Sequence, residues 1–504
     1  MNRLVTAQEM SRIDSQAQSL YGIPDTVLME NAGQLAWRTL EKRLGRDRGR
    51  RIVFLAGPGN NGGDALVMAR ACATAGLHSP RVVLSKEPEK GLAELHVNIC
   101  RKLGLPTETW GPSSAGWLGE SECIVDGLLG TGIAGPGRDP LGEIAEKVER
   151  ASKKALVAAV DVPSGLWDGY RPGQPIITAG LTLTLGLAKR SLYLPAARRH
   201  AGEILPLDIG FPRELIRDPA IPGRLLDEQS VAAFVPPLES EDYKHRRGVV
   251  ALFAGAPGTL GAGILSAGAA GRSGAGLVRL HVDPELYTGA SGACRSIMVG
   301  RTDPSRPSSL EPFDAYVAGP GWSDDPLRIP LLESCIYSGL PGVLDAGALA
   351  LLPRGFRSEE ANTVLTPHPG EFARLTKVSR EEILADPLPA MIDLASDRRS
   401  VVVLKSHVSY VVAPDGRYAV YDGVNGALGT GGTGDVLAGI IGAFLARGVG
   451  AFEAASAAVA LHGLVGRRVY AKRGWFLAED MLDELSASLS DLVGMNDYSH
   501  ADER

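Results

Sequence analysis

The densest cluster of chemistry-bearing residues is the segment 429–435, which reads GTGGTGD. Apolar residues then recur at helical spacing through 436–445, which predicts a buried helix beginning near Thr433. Backbone amides at a glycine-rich helix start can hold a transferring phosphoryl group, and Asp435 can take a proton from the attacking hydroxyl. The segment therefore indicates phosphoryl transfer. A glycine turn followed by an acidic first helical turn is the structural alternative.

Two further strand ends in the second half carry polar side chains. LTPHPGEF (365–372) places His368 in a proline-rich turn after a predicted strand, where a histidine could bind a ligand or simply be hydrogen-bonded. Lys405 ends the apolar run 401–404, so its ammonium group could meet a nucleotide phosphate. A surface lysine lying along its strand is the equally weighted alternative.

In the first half, GPGNNGGDALVMAR (57–70) follows a predicted strand and opens a predicted helix. Glycines at a helix N-terminus let backbone N–H groups approach an anion. The segment has neither the GxGxxG spacing nor a Walker lysine, so it indicates an anion site without naming the anion. A tight turn with a polar helix cap would explain it structurally.

Aspartates follow two other strands of the first half, Asp126 in VDGLLGTG and Asp161 in VDVPSGL. A carboxylate there can move protons, hold a ribose hydroxyl or ligate a cation, although a single such aspartate is more often a helix cap. Asn61, Asp126 and Ser164 offer only oxygen ligands, which suit a hard cation better than zinc.

Length and composition limit the class of protein. The chain has 504 residues, enough for two or more domains, and a net charge of −6. Because both signs of charge are mixed along the chain, we expect no nucleic-acid partner and no membrane partner. The five cysteines are far apart and the N-terminus has no hydrophobic signal core, so we expect reduced thiols and a cytoplasmic location.

The elements that must position these residues alternate between buried strands and helices. Apolar runs at 51–56, 81–84, 123–126, 155–161 and 181–187, each followed by a helical stretch, predict a parallel sheet covered on both faces. A proline-rich stretch from Phe211 to Gly248 separates the halves, and we place the boundary near Pro222. The second half predicts an α/β domain with some antiparallel strands, a hairpin turn at 414–416 and closing helices near 433–446, 452–471 and 478–489.

The first half resembles a known family. LMENAG (28–33), GPGNNGGDA, IVDGLLGTG, DVPSGL, LGLAKRSLYLP and PLDIGFP together are similar to the NAD(P)H-hydrate epimerase domain, the YjeF N-terminal family. The resemblance implies a Rossmann-like three-layer αβα domain over residues 1–221 that interconverts the R and S epimers of hydrated NAD(P)H. Ala65 is a departure, because the family usually has a glycine after NGGD.

Carried over by position, this resemblance implies the site residues. Asp161 would be the acid/base and Lys189 a second catalytic residue. Asn61, Asp126 and Ser164 would bind potassium. The hydrated dinucleotide would be bound by Asn60, Asn61, Gly62, Gly63, Asp64, Gly130, Thr131, Gly132, Ile133, Ala134, Gly135, Pro136 and Asp161.

The second half resembles the ribokinase-like superfamily, and within it the NAD(P)H-hydrate dehydratases. The resemblance rests on GAPGTLGAGILSAGAAGRSGAGLVRL (255–280), AGPG, LDAGAL, TPHPGEF and GGTGDVLAG. It implies that residues 222–504 phosphorylate the ring hydroxyl of the S hydrate with ADP and Mg²⁺, after which phosphate is eliminated. Asp435 would be the base. The hydrate would be bound by Ala262, Gly321, His368 and Asp435, and the nucleotide by Lys405, Ser406, His407, Val408, Ser409 and Gly434.

Together the two resemblances predict a bifunctional, homo-oligomeric enzyme that repairs NADHX and NADPHX at the expense of ADP. The family generally has glycine where Ser406 stands, so the choice between ADP and ATP stays open. The alternative is a ribokinase-like small-molecule kinase with a non-catalytic scaffold as its first domain.

Overall fold

The computed structural model describes residues 2–45, 49–133, 135–137, 139–423 and 425–499. The chain divides into two compact units, Asn2–Pro222 and Gly223–Arg504.

The first unit is built on a seven-stranded parallel sheet. Its strands run in the order β4-β3-β2-β5-β6-β7-β9, and a short parallel pair, β1 with β8, lies apart from that order. The strands are β1 (Asn2–Val5), β2 (Arg51–Ala56), β3 (Ser79–Leu84), β4 (Thr107–Thr109), β5 (Cys123–Gly127), β6 (Leu156–Val160), β7 (Leu181–Leu185), β8 (Ala188–Lys189) and β9 (Glu203–Leu207).

Helices cover both faces of this sheet. Successive strand residues point to opposite faces, so Phe54 packs in one apolar cluster with Leu66 and Val97, while Leu55 packs in another with Leu118 and Ile144. The expected three-layer αβα arrangement is confirmed. The helices are α1 (Ala7–Tyr21), α2 (Asp25–Leu44), α3 (Asn60–Ala75), α4 (Gly91–Lys102), α5 (Pro112–Glu120), α6 (Leu141–Ala151) and α7 (Arg213–Ile216).

The second unit has one mixed sheet in the order β13-β12-β11-β14-β15-β16-β17-β18-β19-β10. Its strands are parallel to their neighbours except β18, which is antiparallel to both β17 and β19. They are β10 (Gly223–Leu225), β11 (Val249–Phe253), β12 (Leu277–Val282), β13 (Met298–Arg301), β14 (Ala315–Ala318), β15 (Gly342–Leu344), β16 (Thr363–Leu365), β17 (Val401–Leu404), β18 (Val408–Val412) and β19 (Tyr418–Asp422). The hairpin turn expected at 414–416 joins β18 to β19, with Ala413 N–H donating to Arg417 O at 2.9 Å.

Glycines let the helices of this unit approach closely. A Cβ on Gly439, in the helix α16 (Thr433–Ala446), would lie 2.1 Å from the Ser266 carbonyl oxygen in the helix α9 (Leu260–Arg272), so only glycine fits where these two helices cross. The helices are α8 (Glu228–Phe234), α9 (Leu260–Arg272), α10 (Tyr287–Ala293), α11 (Ile329–Ile336), α12 (Gly347–Ala350), α13 (Pro369–Thr376), α14 (Arg380–Ala385), α15 (Leu388–Arg398), α16 (Thr433–Ala446), α17 (Ala451–Arg473) and α18 (Ala478–Ser499). Among the described residues, none of the helices is both long and apolar enough to span a membrane.

Candidate active sites

A cavity of about 640 Å³ opens in the first unit beside the turns that follow β2, β5 and β6. Parallel strands bring their carboxyl ends to one edge of a sheet, which is where α/β folds bind ligands. Of the predicted dinucleotide-binding residues, this cavity is lined by Asn60, Asn61, Asp64, Gly130, Thr131, Gly132, Ile133 and Asp161. The structure therefore brings these residues of three separate sequence segments together.

The glycines of the NNGGD segment are required by close backbone contacts. A Cβ on Gly62 would lie 1.8 Å from the Gly57 carbonyl oxygen, and one on Gly57 would lie 1.8 Å from the Leu128 carbonyl oxygen. Gly62 and Gly63 are buried in the first turn of α3, and a Cβ on Gly63 would meet the Met29 side chain at 2.6 Å. Gly57, Gly62 and Gly63 do not themselves line the cavity, whereas the residues between them, 58–61, do.

The loop after β5 reaches a second, adjacent cavity of about 400 Å³. Gly135 and Pro136 line that second cavity, and Ile133 lines both. Ala134, which the resemblance also assigned to the dinucleotide, lies outside the described residues. The predicted loop is thus divided between two neighbouring hollows of the same unit.

Asp126 and Ser164 form a buried hydrogen-bonded pair. Ser164 donates from Oγ to Asp126 Oδ1 at 2.5 Å and from its backbone N–H to Oδ2 at 2.8 Å. Burial raises the pKa of Asp126 to about 6 against these hydrogen bonds. The Asn61 side chain is also buried, and within the described part of the chain its amide oxygen and nitrogen have no hydrogen-bond partner. A buried carboxylate, a hydroxyl and an orphaned amide oxygen are a donor set of the kind that hard cations accept.

Asp161 and Lys189 form a buried ion pair at the cavity wall. Lys189 Nζ contacts Asp161 Oδ1 and also donates to the Leu185 carbonyl oxygen at 2.5 Å, while Leu185 N–H donates to Asp161 Oδ1 at 3.1 Å. Asp161 has a φ of 67°, a conformation that non-glycine residues rarely adopt and that is typical of functional sites. The turn after β6 and the strand β8 together fix this pair.

Three further carboxyl groups line the same cavity, Asp64 from α3, Asp14 from α1 and Asp25 from the start of α2. Burial raises the pKa of Asp64 well above its usual value, and the negative charges of Asp161 and Asp14 add to that effect. Asp14 was not among the residues predicted from the sequence. The available signal is its position: it shares the inward stripe of α1 with Met10, Ile13 and Ala17, where an apolar residue is expected.

In the second unit, Asp435 lies in the first turn of α16, which begins at Thr433 as predicted. The preceding Gly432 has a φ of 92°, which glycine adopts without strain. Lys405 stands beside the same helix start, because a Cβ on Gly434 would lie 3.4 Å from its Nζ. The glycine-rich turn and the ammonium group thus meet at one helix N-terminus.

A lysine–aspartate ion pair also marks this second site. Lys405 Nζ contacts Asp345 Oδ1 at 2.6 Å, and Thr366 Oγ donates to the same oxygen at 2.8 Å. Burial, together with the charge of Asp345, raises the pKa of Asp435 to about 6, while Lys405 lowers it. Asp345 belongs to the LDAGAL segment noted in the sequence, but it was not predicted as a site residue.

His462 on α17 is a second residue that sequence reasoning missed. Its Nε2 donates to the Thr433 carbonyl oxygen at 2.9 Å, and it is separated from Thr433 by 29 residues. Burial lowers the pKa of His462 to about 4, against the Thr433 hydrogen bond, so the ring is neutral near pH 7. It therefore holds the start of α16 in place, and no local pattern marks that contact in the sequence.

The four residues predicted to contact the hydrate come from four different elements. Ala262 and Gly321 are neighbours, since a Cβ on Gly321 would lie 2.9 Å from the Ala262 Cβ. His368 is exposed and caps α13, accepting the Gly370 N–H at Nδ1 at 2.9 Å. The preceding Pro367 carbonyl oxygen accepts from Lys405 N–H at 3.0 Å, which ties the His368 turn to the Lys405 turn.

The predicted nucleotide-binding segment 405–409 is the tight turn between β17 and β18. Ser406 N–H donates to Ser409 Oγ at 3.3 Å, and Ser409 Oγ donates back to the Ser406 carbonyl oxygen at 2.9 Å. The His407 ring lies 3.2 Å from Ser406 Oγ. Val408 is fully buried in β18, so only its backbone faces the turn.

Comparison with known proteins matches both units. A family model described as YjeF-related protein N-terminus matches residues 25–191, and one described as NAD(P)H-hydrate dehydratase matches residues 250–487. The chain is 33% identical to the bifunctional NAD(P)H-hydrate repair enzyme Nnr of Moorella thermoacetica, over 97% of each chain. It belongs to the family of bifunctional NAD(P)H-hydrate repair enzymes. The resemblances given by both halves of the sequence are thereby confirmed.

Other members of this repair family give the same picture. The Escherichia coli enzyme of that name is 32% identical, over 95% of this chain and 92% of the relative. A crystal structure of the ADP/ATP-dependent NAD(P)H-hydrate dehydratase from Bacillus subtilis, co-crystallized with ATP and Mg²⁺, is 28% identical with a TM-score of 0.50. It covers 53% of this chain and 99% of its own, as expected for a neighbour of one domain.

Proposed function

We propose that this protein repairs hydrated NADH and NADPH in two steps. Residues 1–221 interconvert the R and S epimers of the hydrate, and residues 222–504 convert the S epimer to NAD(P)H at the expense of ADP. The observation that carries this proposal is that each unit places a lysine–aspartate ion pair at the carboxyl ends of parallel strands, beside a further carboxyl group of raised pKa that comes from a helix, Asp14 or Asp435. The nearly full-length similarity to bifunctional repair enzymes supports it.

In the epimerase site, the cavity residues of segments 60–64 and 130–136 bind the dinucleotide. Asp161 then faces the hydrated ring and moves the proton that inversion requires, while Lys189 holds the Asp161 carboxylate in place through their ion pair. The orphaned Asn61 amide, Asp126 and Ser164 are the residues that would hold potassium. When bound, potassium would supply positive charge that offsets the buried Asp126 carboxylate.

In the dehydratase site, Asp435 accepts the proton of the ring hydroxyl as its oxygen attacks the terminal phosphorus of ADP. The new O–P bond forms while the bond to the leaving AMP oxygen breaks. Lys405 and the amides at the start of α16 stabilise the phosphoryl charge. Loss of the phosphate and of a ring proton then restores the double bond. Mg²⁺ bound with ADP would spread the phosphate charge, and the carboxylate oxygens of Asp345 and Asp435 are ligands of the kind it accepts.

The competing interpretation was a small-molecule kinase with a scaffold domain. It is disfavoured because the relatives pair the same two domains over nearly the whole chain. The first unit also keeps a cavity with a buried ion pair, which a scaffold does not need. Hydrate repair accounts for both units with one substrate.

The decisive experiment follows recovery of reduced-nicotinamide absorbance from a mixture of hydrate epimers, with ADP, ATP or neither. We expect full recovery with ADP. Asp435→Asn should abolish repair of both epimers and leave epimerisation intact, whereas Asp161→Asn should leave the S hydrate repairable and the R hydrate stranded. Asp393→Asn and Glu149→Gln, which change exposed carboxylates outside both sites, serve as controls. Unchanged turnover of the R hydrate in Asp161→Asn would remove the epimerase assignment.

Two cellular aspects belong to the same proposal. All five cysteines are free thiols, which supports a reducing compartment such as the cytoplasm. Assembly as a homo-oligomer stays a prediction, and light scattering coupled to size-exclusion chromatography would test it.

A further inference from the structure

Asp14 is a carboxyl group that the proposed epimerase chemistry leaves without a role. It lies in the middle of α1 and lines the 640 Å³ cavity, facing it together with Asp161 and Lys189. Met10 and Ala17, one turn to either side of it, are buried core residues. Asp14 therefore occupies a position on the inward face of the helix where an apolar side chain would be cheaper to bury.

The carboxyl group of Asp14 is not engaged in the structure of the helix. Among the hydrogen bonds and ion pairs of the described residues, none involves its side chain, whereas Asp161 is held by Lys189 and Leu185. Asp14 also comes from a different element than Asp161, namely α1 and not the sheet edge. Among the carboxyl groups that line the cavity, Asp161 is thus fixed by an ion pair, whereas Asp14 makes no such contact within the described residues and comes from a different element.

The charges around Asp14 place it in the same electrostatic group as the Asp161–Lys189 pair. Burial raises the pKa of Asp14 to about 6, Lys189 opposes this, and Asp161 and Asp25 add to it. Asp64 faces it from α3. A carboxyl group of this kind holds a proton over part of the physiological pH range, as a general acid must.

We propose that Asp14 is a second catalytic residue of the epimerase site and exchanges protons with the hydrate on the opposite ring face from Asp161. The inference rests on the proposed function. Hydration of an enamine places the hydroxyl on the carbon bonded to nitrogen, so the substrate is a carbinolamine. Inverting that carbon requires its oxygen to leave from one face and a new oxygen to arrive on the other, which calls for two proton-transfer groups.

The step balances with these two carboxyl groups and water. Asp14 gives its proton to the leaving hydroxyl, the C–O bond breaks with its electron pair on oxygen, and water departs. The ring-nitrogen lone pair forms the C=N bond of an iminium ion. A second water adds to that carbon from the other face, and its proton goes to Asp161. The reverse sequence converts the other epimer, and solvent returns the proton between turnovers.

The test measures epimerisation alone, in the full-length protein without ADP and in H₂¹⁸O. The reaction starts from one unlabelled epimer. After subtraction of the ¹⁸O incorporated without enzyme, we expect each inverted product molecule to carry one oxygen atom from the solvent. Asp14→Asn, which keeps the size and removes the proton, should lower kcat by about 100-fold or more with KM little changed. Asp14→Glu should recover part of the rate, and the loss of kcat/KM above a pH of about 6 should disappear in Asp14→Asn.

The possible outcomes distinguish failure of the role proposed for Asp14 from failure of the proposed epimerase function. Wild-type protein that fails to epimerise removes the proposed function itself. Active wild-type protein combined with an Asp14→Asn rate equal to that of the Glu149→Gln control overturns the role of Asp14. So does inversion with full retention of the original oxygen, or a loss found in Asp64→Asn but not in Asp14→Asn. Thermal unfolding of each variant, together with Asp14→Glu, distinguishes a lost fold from a lost proton.

Discussion

The pH dependence of dehydration tests the role of Asp435 as the base, because two substitutions beside it should shift its pKa in opposite directions. Asp435 has a pKa raised to about 6, chiefly by burial, then by Asp345, and lowered by Lys405. As the base, Asp435 must be ionised, so kcat/KM for the S hydrate should fall as pH drops through about 6. One pH unit below that value, about one-tenth of the base is ionised and the rate should be about tenfold lower.

Lys405 and Asp345 are joined at 2.6 Å, so changing either one leaves the other unpaired. In Lys405→Met the uncompensated Asp345 carboxylate should raise the pKa of Asp435, and the acid limb should move to higher pH. In Asp345→Asn the uncompensated ammonium group should lower that pKa, and the limb should move to lower pH. Rates at saturation will fall in both variants. Lys405→Met removes the ammonium group that is expected to contact phosphate, and Asp345→Asn removes the carboxylate that holds this group in place.

The assay is the initial rate of NADH recovery from purified S hydrate, at subsaturating substrate and fixed ADP, across a pH series. Comparing variants cancels the ionisation of the nucleotide itself, which is common to all of them. Asp393→Asn controls for a general change in charge. Limbs that stay in place in both variants, or that move in the same direction, would refute the assignment of Asp435 as a base coupled to this ion pair.

Three further outcomes are expected. Gly62→Ala should reduce the free energy of unfolding by at least the roughly 1–3 kcal/mol that overpacking costs, because its Cβ would lie 1.8 Å from the Gly57 carbonyl oxygen. Denaturant unfolding measures this change. Gly116→Ala is the control, since a Cβ there meets nothing within 4 Å. Replacing potassium by a bulky organic cation should slow epimerisation but not dehydration, and Ser164→Ala should weaken the response to potassium by about tenfold or more. Ser406→Gly should raise kcat/KM with ATP relative to ADP, because it removes a side chain from the predicted nucleotide-binding turn, while the hydrogen bond from the backbone N–H of residue 406 to Ser409 survives. An unchanged ratio would show that this side chain does not select the nucleotide.

The sheet edges that hold both sites could be predicted because they depend on local patterns. The run 51–56 is a strand over the whole predicted range and is buried from Ile52 onward, and α16 begins at the predicted Thr433. Apolar runs and glycine turns impose these elements through short-range physics, namely burial on a pleat and helix-start geometry. The approach of separate strand ends then follows from parallel topology.

The residues that were missed depend on contacts that no local pattern records. In the sequence, Asp14 is one polar residue on the apolar face of an amphipathic helix. Only the structure shows that α1 brings it to the cavity that Asp161 also lines. His462 contacts Thr433 from a helix whose own pattern is that of a buried segment. Asp345 stands in a recognisable turn, but its ion pair with Lys405 joins residues 60 positions apart.

Both sites use the same arrangement of charges to place a titratable aspartate beside a lysine–aspartate ion pair. In each, a lysine is paired with one aspartate, Lys189 with Asp161 and Lys405 with Asp345. A second aspartate in the same site, Asp14 or Asp435, is left without that pairing, and burial raises its pKa to about 6. The paired carboxylate adds to the rise and the lysine limits it, so the free carboxyl group can both hold and release a proton near neutral pH. Removing the lysine in either site should therefore shift the free aspartate toward its protonated form, which would impair a base such as Asp435 at neutral pH but favour an acid such as Asp14.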